Sequence, residues 1–430
     1  MPDHSSIEEL STSDLFNKFS NWASDNFIFI HPSLRFVQSS GGHDVYATSQ
    51  ISPNTKLLSC PFNMAITAPQ SKGALLTLFQ GDHIDVSHIL EQWNERQIVC
   101  VYMALHRIWQ DVKNSPPPPV LKHKPYLDIL PPSSVLLTTM YFSQDELGLL
   151  KGSNLYQATM TRKQEWRAEW QTCVQGLSTL DVDLATALTW EYYLEAATHL
   201  SSRAFPSTIL SKTPSNTQSN LSHAVLLPGI DCLNHKRATP VSWVANLSEP
   251  LGSSTLDLLI HETVRAGEEC FNNYGPKPNS ELILGYGFAL PSNPDDTILL
   301  SLAASNTSQS SKVEIGRDAK NAERLWELVI AKVYQLGGDE EPASNWEVEL
   351  EAAEIIMDLT EQRMERLPDV SQAGEVSARK PVLEMIEYYL EGQRAILMSL
   401  IQWAQAKRLG AQASALAEGV ELILDDQEEQ

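Results

Sequence analysis

The chain has 430 residues, a formal net charge of −23 at pH 7 and an isoelectric point near 4.8. Hydrophobic residues make up 42% and charged residues 20%, which is ordinary for a soluble globular protein of roughly two or three domains. The acidic balance excludes unaided binding to a nucleic-acid backbone, which needs basic stripes. It suits a basic protein partner, although the same charge can serve solubility alone.

The cysteines and the N-terminus indicate a reducing compartment. Five cysteines are scattered without a CxxC pair, so neither a zinc cluster nor a disulfide framework is indicated. The first residues, MPDHSSIEELSTSDLF, lack the apolar segment of a secretory signal. No apolar run reaches the roughly 18 residues of a membrane span. We therefore expect a monomer in the cytoplasm or the nucleus, with no metal site and no membrane contact.

Residues 1–90 read as one helix followed by short strands. Ser13 or Asp14 is placed to cap the helix, and the strands are expected in FIFIHPSLRFV, GGHDVYAT and TKLLSCPFNMAIT. Gly41-Gly42 marks a turn, either of a plain hairpin or at a place where the backbone passes close to a ligand.

Residues 91–202 read as a helical insertion. Apolar residues at helical spacing predict a helix over Glu91–Val112, which the prolines before residue 120 end. Further helices are expected near Asp145–Lys151, Tyr156–Leu177 and Asp183–Ser202.

Residues 203–295 return to strands, which are expected in AVLLPGI, VSWVANL, LDLLIHETV and ECFNNY. Residues 296–415 read as a separate helical lobe. Its signals are a stop at Gly337-Gly338, a capping box at Ser344 and Glu347, and Pro381 near a helix start. Residues 416–430 form an acidic tail that we expect to be disordered.

Two polar pieces interrupt the strand-rich segment. One is Asp231-Cys-Leu-Asn234-His235, at the end of an apolar run, and the other is Asn272-Asn-Tyr274-Gly275. Buried amides and imidazoles must find hydrogen-bond partners, so two such interruptions in one small region predict a site rather than plain packing.

The Asn-His pair is followed some forty residues later by FNNYGPKPNSELILGYGF, and HKPYLDILP and SSRAF add support. With these motifs the chain, from about residue 20 to about residue 410, resembles SET-domain protein-lysine methyltransferases. The nearest branch is typified by the plant Rubisco large-subunit methyltransferase and the fungal ribosomal-protein lysine methyltransferases. The resemblance implies an α+β fold, with a SET domain of small twisted sheets, a helical insertion and a C-terminal all-α lobe.

The resemblance also implies a site. In that fold the segment 272–275 passes beneath the loop near Asn234, S-adenosylmethionine binds on one face, and the substrate enters from the other. Tyr274 and Tyr286 match the tyrosines that line the methyl-transfer channel and are the predicted catalytic residues. The matching cofactor-binding positions are Arg203, Asp231, Asn234, His235, Tyr274, Phe288 and Gly42. Ordinary packing is the rival role for Tyr274 and Tyr286, and a structural histidine for His235.

One position departs from the family pattern. The family's Gly-x-Gly reads Gly42-His43-Asp44 here, which puts the N-terminal cofactor contact in question. Asp tolerates positive φ better than most residues, if Asp44 must adopt it. The zinc-bearing segment of many histone-directed relatives is missing after Cys270, so the helical lobe is expected to close that side.

The resemblance favours a protein-lysine N-methyltransferase that acts on a non-histone protein, such as a ribosomal protein. The acceptor amine has an ordinary pKa near 10.4, and burial beside a sulfonium would lower it so that the amine can attack. Two alternatives stay open: methylation of histidine on the same fold, and a non-catalytic adaptor that uses the helical lobe, which the departure at Asp44 motivates.

Overall fold

The computed structural model describes residues 14–39, 41–81, 85–215, 222–302, 311–336, 344–370 and 377–422. The chain divides into two compact units. Unit 1 comprises Met1–Leu136 with Arg162–Pro276, and unit 2 comprises Leu137–Thr161 with Lys277–Gln430. None of the helices in the described ranges combines the length and apolarity that a membrane crossing requires.

Unit 1 is built on small antiparallel sheets. Its strands are β1 (Phe29–Ile30), β2 (Leu34–Ser39), β3 (Gly42–Ala47), β4 (Thr55–Pro61), β5 (Phe205–Pro206), β6 (Ala224–Val225), β7 (Val241–Asn246) and β8 (Thr255–Ile260). One sheet has the order β1-β4-β8-β7, while β2 with β3 and β5 with β6 form separate pairs. In β8 the sequence TLDLLI is mostly buried, as expected for a strand with a neighbour on each side.

The chain up to residue 203 also forms nine α-helices in the described ranges, most of them in unit 1. They are α1 (Asp14–Asp25), α2 (Ala68–Leu78), α3 (Val86–Glu91), α4 (Glu95–Lys113), α5 (Lys124–Asp128), α8 (Val182–Ala187) and α9 (Trp190–Arg203), with α6 (Gln144–Gly148) and α7 (Asn154–Leu180) between α5 and α8 in the chain. In α4 the Asn94 side chain accepts from the N–H of Gln97, whose own side chain accepts from the N–H of Asn94. Asn114 ends α4 with a left-handed φ of 48°, just before the run of prolines.

Aromatic packing fills the core next to β2 and β3. Phe16 and Phe19 of α1 each lie 5.7 Å, between ring centroids, from Phe36 of β2. Phe16 also contacts the buried ring of His43 at 5.6 Å. The first predicted helix therefore buries Phe16 and Phe19, whereas Leu15 is 42% exposed.

Unit 2 is mainly helical. Its other elements are α10 (Asn279–Gly285), β9 (Thr297–Leu302), β10 (Ser311–Gly316), α11 (Ala322–Leu336), α12 (Asn345–Glu365) and α13 (Lys380–Ala417). Ser344 precedes α12, and its N–H donates to the Glu347 carboxylate at 2.9 Å. Pro381 lies in the first turn of α13, as predicted.

Several sequence expectations need correction. The predicted helix Asp183–Ser202 is two helices, because Leu188 ends α8 and the Thr189 side chain caps α9. ECFNNY forms only isolated bridges rather than a strand ladder. The α+β class is confirmed, but the lobe 296–415 is not all-α, since β9 and β10 form an antiparallel hairpin at its start.

The predicted segment boundaries stay a prediction, although the compact units divide the chain differently. Residues 137–161 of the predicted insertion belong to unit 2, and unit 2 resumes at Lys277. Gly337-Gly338 and most of the acidic tail, from residue 423 onward, lie outside the described residues.

Candidate active site

The Asn-His pair follows a tight turn. Gly229 adopts a φ of +92°, which side chains resist, and leads into a single 3₁₀ turn over Ile230–Cys232. The chain then extends through Leu233, so that Asn234 runs beside Asn272. The carbonyl oxygen of Asn234 accepts from the N–H of Asn272 at 2.7 Å. The two polar pieces of the sequence therefore meet in space.

The turn after Asn272 is held by amide side chains. Asn272 Oδ1 accepts from the N–H of Asn273 at 2.8 Å, and Asn273 Oδ1 accepts from the N–H of Gly275 at 3.0 Å. Gly275 has a φ of +88°, so a glycine suits the end of this turn. These two hydrogen bonds thus hold the backbone on either side of Tyr274.

Tyr274 is anchored on the Asn-His loop. Its hydroxyl donates to the carbonyl oxygen of Leu233 at 2.8 Å. Its backbone N–H donates to His235 Nδ1 at 3.0 Å, and the two rings stack with centroids 5.0 Å apart. The phenol therefore lies beside the Asn-His pair, which is the arrangement that a shared site requires.

The His235 ring has a structural task in this arrangement. Because Nδ1 accepts from the backbone of Tyr274, the proton of the neutral imidazole lies on Nε2. The ring thus positions Tyr274, which is one of the two roles that the sequence left open.

The Asn234 side chain is held by two carboxylates. Its Nδ2 donates to Asp44 Oδ1 and to Glu269 Oε1, both at 2.9 Å. Burial raises the pKa of Glu269, the Asn234 hydrogen bond opposes that rise, and the charge of Asp44 adds to it. Asp44 is an ordinary residue of β3, paired with Val37, and it is not among the residues with positive φ. Asp44 therefore does not adopt the positive φ that its sequence position left open.

Asp231 and Arg203 form a second group. Asp231 is 3% exposed, and its carboxylate accepts a short hydrogen bond from the Tyr126 hydroxyl. Arg203 Nη1 donates to the backbone oxygen of Asp231 at 2.8 Å. Burial raises the pKa of Asp231 to about 6, although the Arg203 charge and the Tyr126 hydrogen bond pull it down. Asp231 thus supports Arg203 from the interior, and its carboxylate is already engaged.

The surroundings of Arg203 keep two histidines neutral. Burial and the nearby Arg203 charge lower the pKa of His43 to about 3. The same two causes hold the pKa of His199 well below its ordinary value. Positive charge on this side of the site is therefore concentrated on the guanidinium of Arg203.

Gly42 is explained by packing. A Cβ on Gly42 would overlap the ring of Pro131, and Gly42 has a φ of +134°. The structure thus gives Gly42 a steric role, and the predicted cofactor contact at this residue stays a prediction.

Tyr286 and Phe288 belong to unit 2. Tyr286 directly follows α10, and its ring centroid lies 6.2 Å from that of Phe288. Lys277 Nζ lies 5.6 Å from the centre of the Tyr286 ring, and burial raises the pKa of Tyr286. Gly287, with a φ of +82°, passes so close to the backbone of Leu137 and Thr138 that a side chain would not fit.

Asn279 of the same motif anchors this loop. It is fully buried, its Nδ2 donates to the carbonyl oxygen of Leu290 at 2.9 Å, and its Oδ1 accepts from the Leu290 N–H at 2.8 Å. Its backbone N–H donates to Asp296 Oδ1 at 2.7 Å. The loop with Tyr286 and Phe288 is thus fixed at both ends.

Within unit 1 the structure brings together most of the predicted site residues. They are Arg203, Asp231, Asn234, His235 and Tyr274. Sequence reasoning missed Tyr126, Glu269 and Asn279. Tyr126 and Asn279 lie within the pieces HKPYLDILP and PKPNSELILGYGF that carried the resemblance, whereas no local pattern pointed to Glu269.

Comparisons with known proteins agree with the resemblance. No protein-family model matches the chain. It is 32% identical over 280 residues to the ribosomal lysine N-methyltransferase set10 of Schizosaccharomyces pombe, covering 64% of this chain and 46% of that protein. It is 27% identical over 334 residues to the protein-lysine N-methyltransferase EFM1 of Saccharomyces cerevisiae, covering 66% and 52% respectively. The chain thus spans about half the length of these relatives.

Solved structures show the fold. The SET domain of LSMT bound to lysine and AdoHcy superposes with a TM-score of 0.72 at 18% identity, covering 94% of this chain and 93% of that one. Rubisco LSMT bound to AdoMet gives a TM-score of 0.66 at 19% identity, covering 93% and 94%. The chain therefore has the SET fold, and the predicted resemblance to the Rubisco and ribosomal-protein branch of SET-domain lysine methyltransferases is confirmed.

Proposed function

We propose that the protein is an S-adenosylmethionine-dependent protein-lysine N-methyltransferase that acts on a non-histone protein. The observation that carries the proposal is the position of Tyr274, whose phenol is bonded to Leu233 and whose ring stacks on His235. A tyrosine that only packs in a core does not require both the hydrogen bond to Leu233 and the stacking on His235.

The polar groups fit the cofactor. Among the described residues, the buried Nε of Arg203 has no hydrogen-bond partner, and a guanidinium is suited to a carboxylate. The Asn234 amide, whose N–H groups point to Asp44 and Glu269, offers its oxygen to an ammonium. Arg203 and Asn234 would therefore hold the amino-acid end of S-adenosylmethionine. When bound, that cofactor would supply a methyl group carried on a sulfonium. On transfer of the methyl group to the acceptor, the sulfur becomes a neutral thioether.

Tyr274 would orient the acceptor. Because its hydroxyl hydrogen is given to Leu233, the phenolic oxygen can only accept further hydrogen bonds. It can accept one from a neutral amine, or weaker C–H contacts from a polarised methyl group. Tyr274 thus acts by alignment, the main contribution that an enzyme can make to an in-line displacement.

We propose a ribosomal or other translation protein as the substrate. Support comes from the similarity to set10, named as a ribosomal lysine methyltransferase. The charge of −23 suits a basic partner. Histidine is the second candidate acceptor, because the chain is also 21% identical over 301 residues to the human actin-histidine N-methyltransferase.

The test uses purified protein, cofactor labelled on its methyl group, and a lysate of cells that lack this protein. We expect a labelled band whose modified residue, by mass spectrometry, is lysine. Tyr274→Phe should lower the rate about 100-fold through misalignment of the acceptor. Tyr334→Phe, at a tyrosine that is 50% exposed, is the matched control and should leave the rate unchanged.

The outcomes separate the candidates. Labelled histidine would replace lysine as the acceptor. No labelling together with no cofactor binding in calorimetry would favour the adaptor. Equal labelling by wild type and Tyr274→Phe would remove the proposed role of Tyr274.

We further propose that the protein acts as a monomer in the cytoplasm or the nucleus. The five cysteines are all buried free thiols, as suits a reducing compartment. Light scattering on the purified protein and imaging of a tagged copy in cells test the two parts.

A further inference from the structure

We propose that Asp44, together with Glu269, is a positioning residue that sets the orientation of the Asn234 amide in the cofactor site. The inference rests on the proposed function and deepens it. Asp44 stands at the position where the resemblance implies a glycine.

The orientation of the amide follows from its partners. An Asn side chain has two N–H hydrogens on Nδ2 and one acceptor oxygen. Asp44 Oδ1 and Glu269 Oε1 each lie 2.9 Å from Nδ2, and an ionised carboxylate can only accept. Both N–H hydrogens are therefore used inside the protein, and Oδ1 is the atom left to meet a ligand.

The Asp44 carboxylate and the backbone of Glu269 are themselves held in place. Asp44 Oδ1 also accepts from Ser39 Oγ at 3.1 Å, across the β2–β3 hairpin. Glu269 is paired with Tyr46 of β3 through an isolated antiparallel bridge. Asn234 is thus held from two segments that are hydrogen-bonded to each other, which leaves the amide little freedom to rotate.

This arrangement sets the kind of ligand group that Asn234 can recognise. With only Oδ1 available, it must face a hydrogen-bond donor, and the ammonium of the cofactor's methionine part is such a donor. A rotated amide would present N–H groups and repel it. Asp44 therefore acts through Asn234 on cofactor affinity, and not on the methyl-transfer step.

The experiment measures the Kd of S-adenosylmethionine by calorimetry, and KM and kcat on the substrate found in lysate. Asp44→Ala should raise Kd and the KM for the cofactor about tenfold, the size expected for one lost charge-assisted hydrogen bond, with kcat at saturation within about twofold. Asp44→Asn keeps an acceptor oxygen and should restore Kd to within about twofold to threefold of wild type. Glu268→Ala, at the exposed neighbour of Glu269, is the matched control and should bind as wild type does.

A double-variant cycle completes the test. In an Asn234→Ala background, Asp44→Ala should cause no further loss of cofactor affinity, because its route of action is gone. Additive losses, an unchanged Kd in Asp44→Ala, or failure of Asp44→Asn to restore binding in a folded protein would each overturn the inference. Wild type that binds no cofactor would instead overturn the proposed function.

Discussion

Asp231 has a buried carboxyl group that is hydrogen-bonded to its neighbours. Its carboxylate accepts a hydrogen bond from the Tyr126 hydroxyl, and its backbone oxygen accepts one from Arg203. Burying a carboxylate is costly even with such partners, and the pKa of about 6 reflects that cost. Asp231 therefore holds Arg203 in place, but its ionised carboxylate lowers the free energy of unfolding.

Asp231→Asn should therefore change the pH dependence of stability. The pKa of Asp231 rises from 3.8 to about 6 on folding, so its contribution is complete below about pH 4 and lost as pH rises through about 6. Relative to wild type, the variant should gain about 3 kcal/mol of unfolding free energy between pH 3 and pH 7.

Denaturant unfolding at fixed ionic strength measures this difference. Asp128→Asn, at a carboxyl paired with Lys124, serves as the control. A constant difference between Asp231→Asn and wild type across this range would contradict the burial argument.

Among the elements, the turn before α7 requires a glycine at position 152. Gly152 has a φ of +88°, and a Cβ there would overlap the carbonyl oxygen of Arg366. Gly419, after α13, has a φ of +83° but open space around it. Substitutions at these two glycines therefore distinguish the cost of backbone strain alone from the cost of strain with steric overlap.

Gly152→Ala should lower the unfolding free energy by about 3 kcal/mol or more, because strain and overpacking add. Gly419→Ala should cost only about 1 kcal/mol, from strain alone. Scanning calorimetry of the two variants measures both. Similar losses would show that the Arg366 backbone moves aside easily.

Elements with strong local signals were predictable. The capping residue Ser344, and Pro381 at the start of a helix, act within one turn of chain. The cap at Asn94 was missed, since the helix predicted from Glu91 begins at Glu95. The hairpin of β9 and β10 and the break at Leu188 were missed. The hydrophobic periodicity is compatible with either structure in both places. Strand pairing in the first case and the cap at Thr189 in the second decide which one forms.

The candidate site was predictable only where residue type and motif coincide. Tyr274, Asn234 and His235 came from the two polar pieces. The contact of Asn234 with Asp44 joins residues 190 positions apart, so no local pattern reveals it. Glu269 was missed for the same reason, since its partner is set by tertiary structure.

For the molecule as a whole, four buried histidines lower the stability of the fold in acid. His43, His106, His123 and His199 are each at most 4% exposed, and burial is the first cause that lowers the pKa of each. The folded protein keeps them neutral, whereas the unfolded chain protonates them near pH 6.5. Their contribution is therefore present above that pH and lost as pH falls.

The melting temperature should accordingly fall as the pH is lowered from 7.5 to 6. In this range each of these histidines lowers the free energy of unfolding, by at most about 1.4 kcal/mol per pH unit. Thermal unfolding in buffers of matched ionic strength measures this fall. Proton NMR of the four imidazoles should show no titration down to pH 5. A flat melting temperature, or imidazoles that titrate in the folded protein, would contradict the account.

Unit 2 is assembled from two stretches of chain, Leu137–Thr161 and Lys277–Gln430, which are separated by the second stretch of unit 1, Arg162–Pro276. The earlier stretch supplies Phe142, Leu147, Leu150 and Leu155 to a core whose other buried side chains come from after Lys277. During synthesis these four apolar groups leave the ribosome long before their partners exist, which favours slow, late collapse and leaves them open to wrong contacts. A nascent chain of this protein should therefore need shielding by chaperones until its last helices have been made.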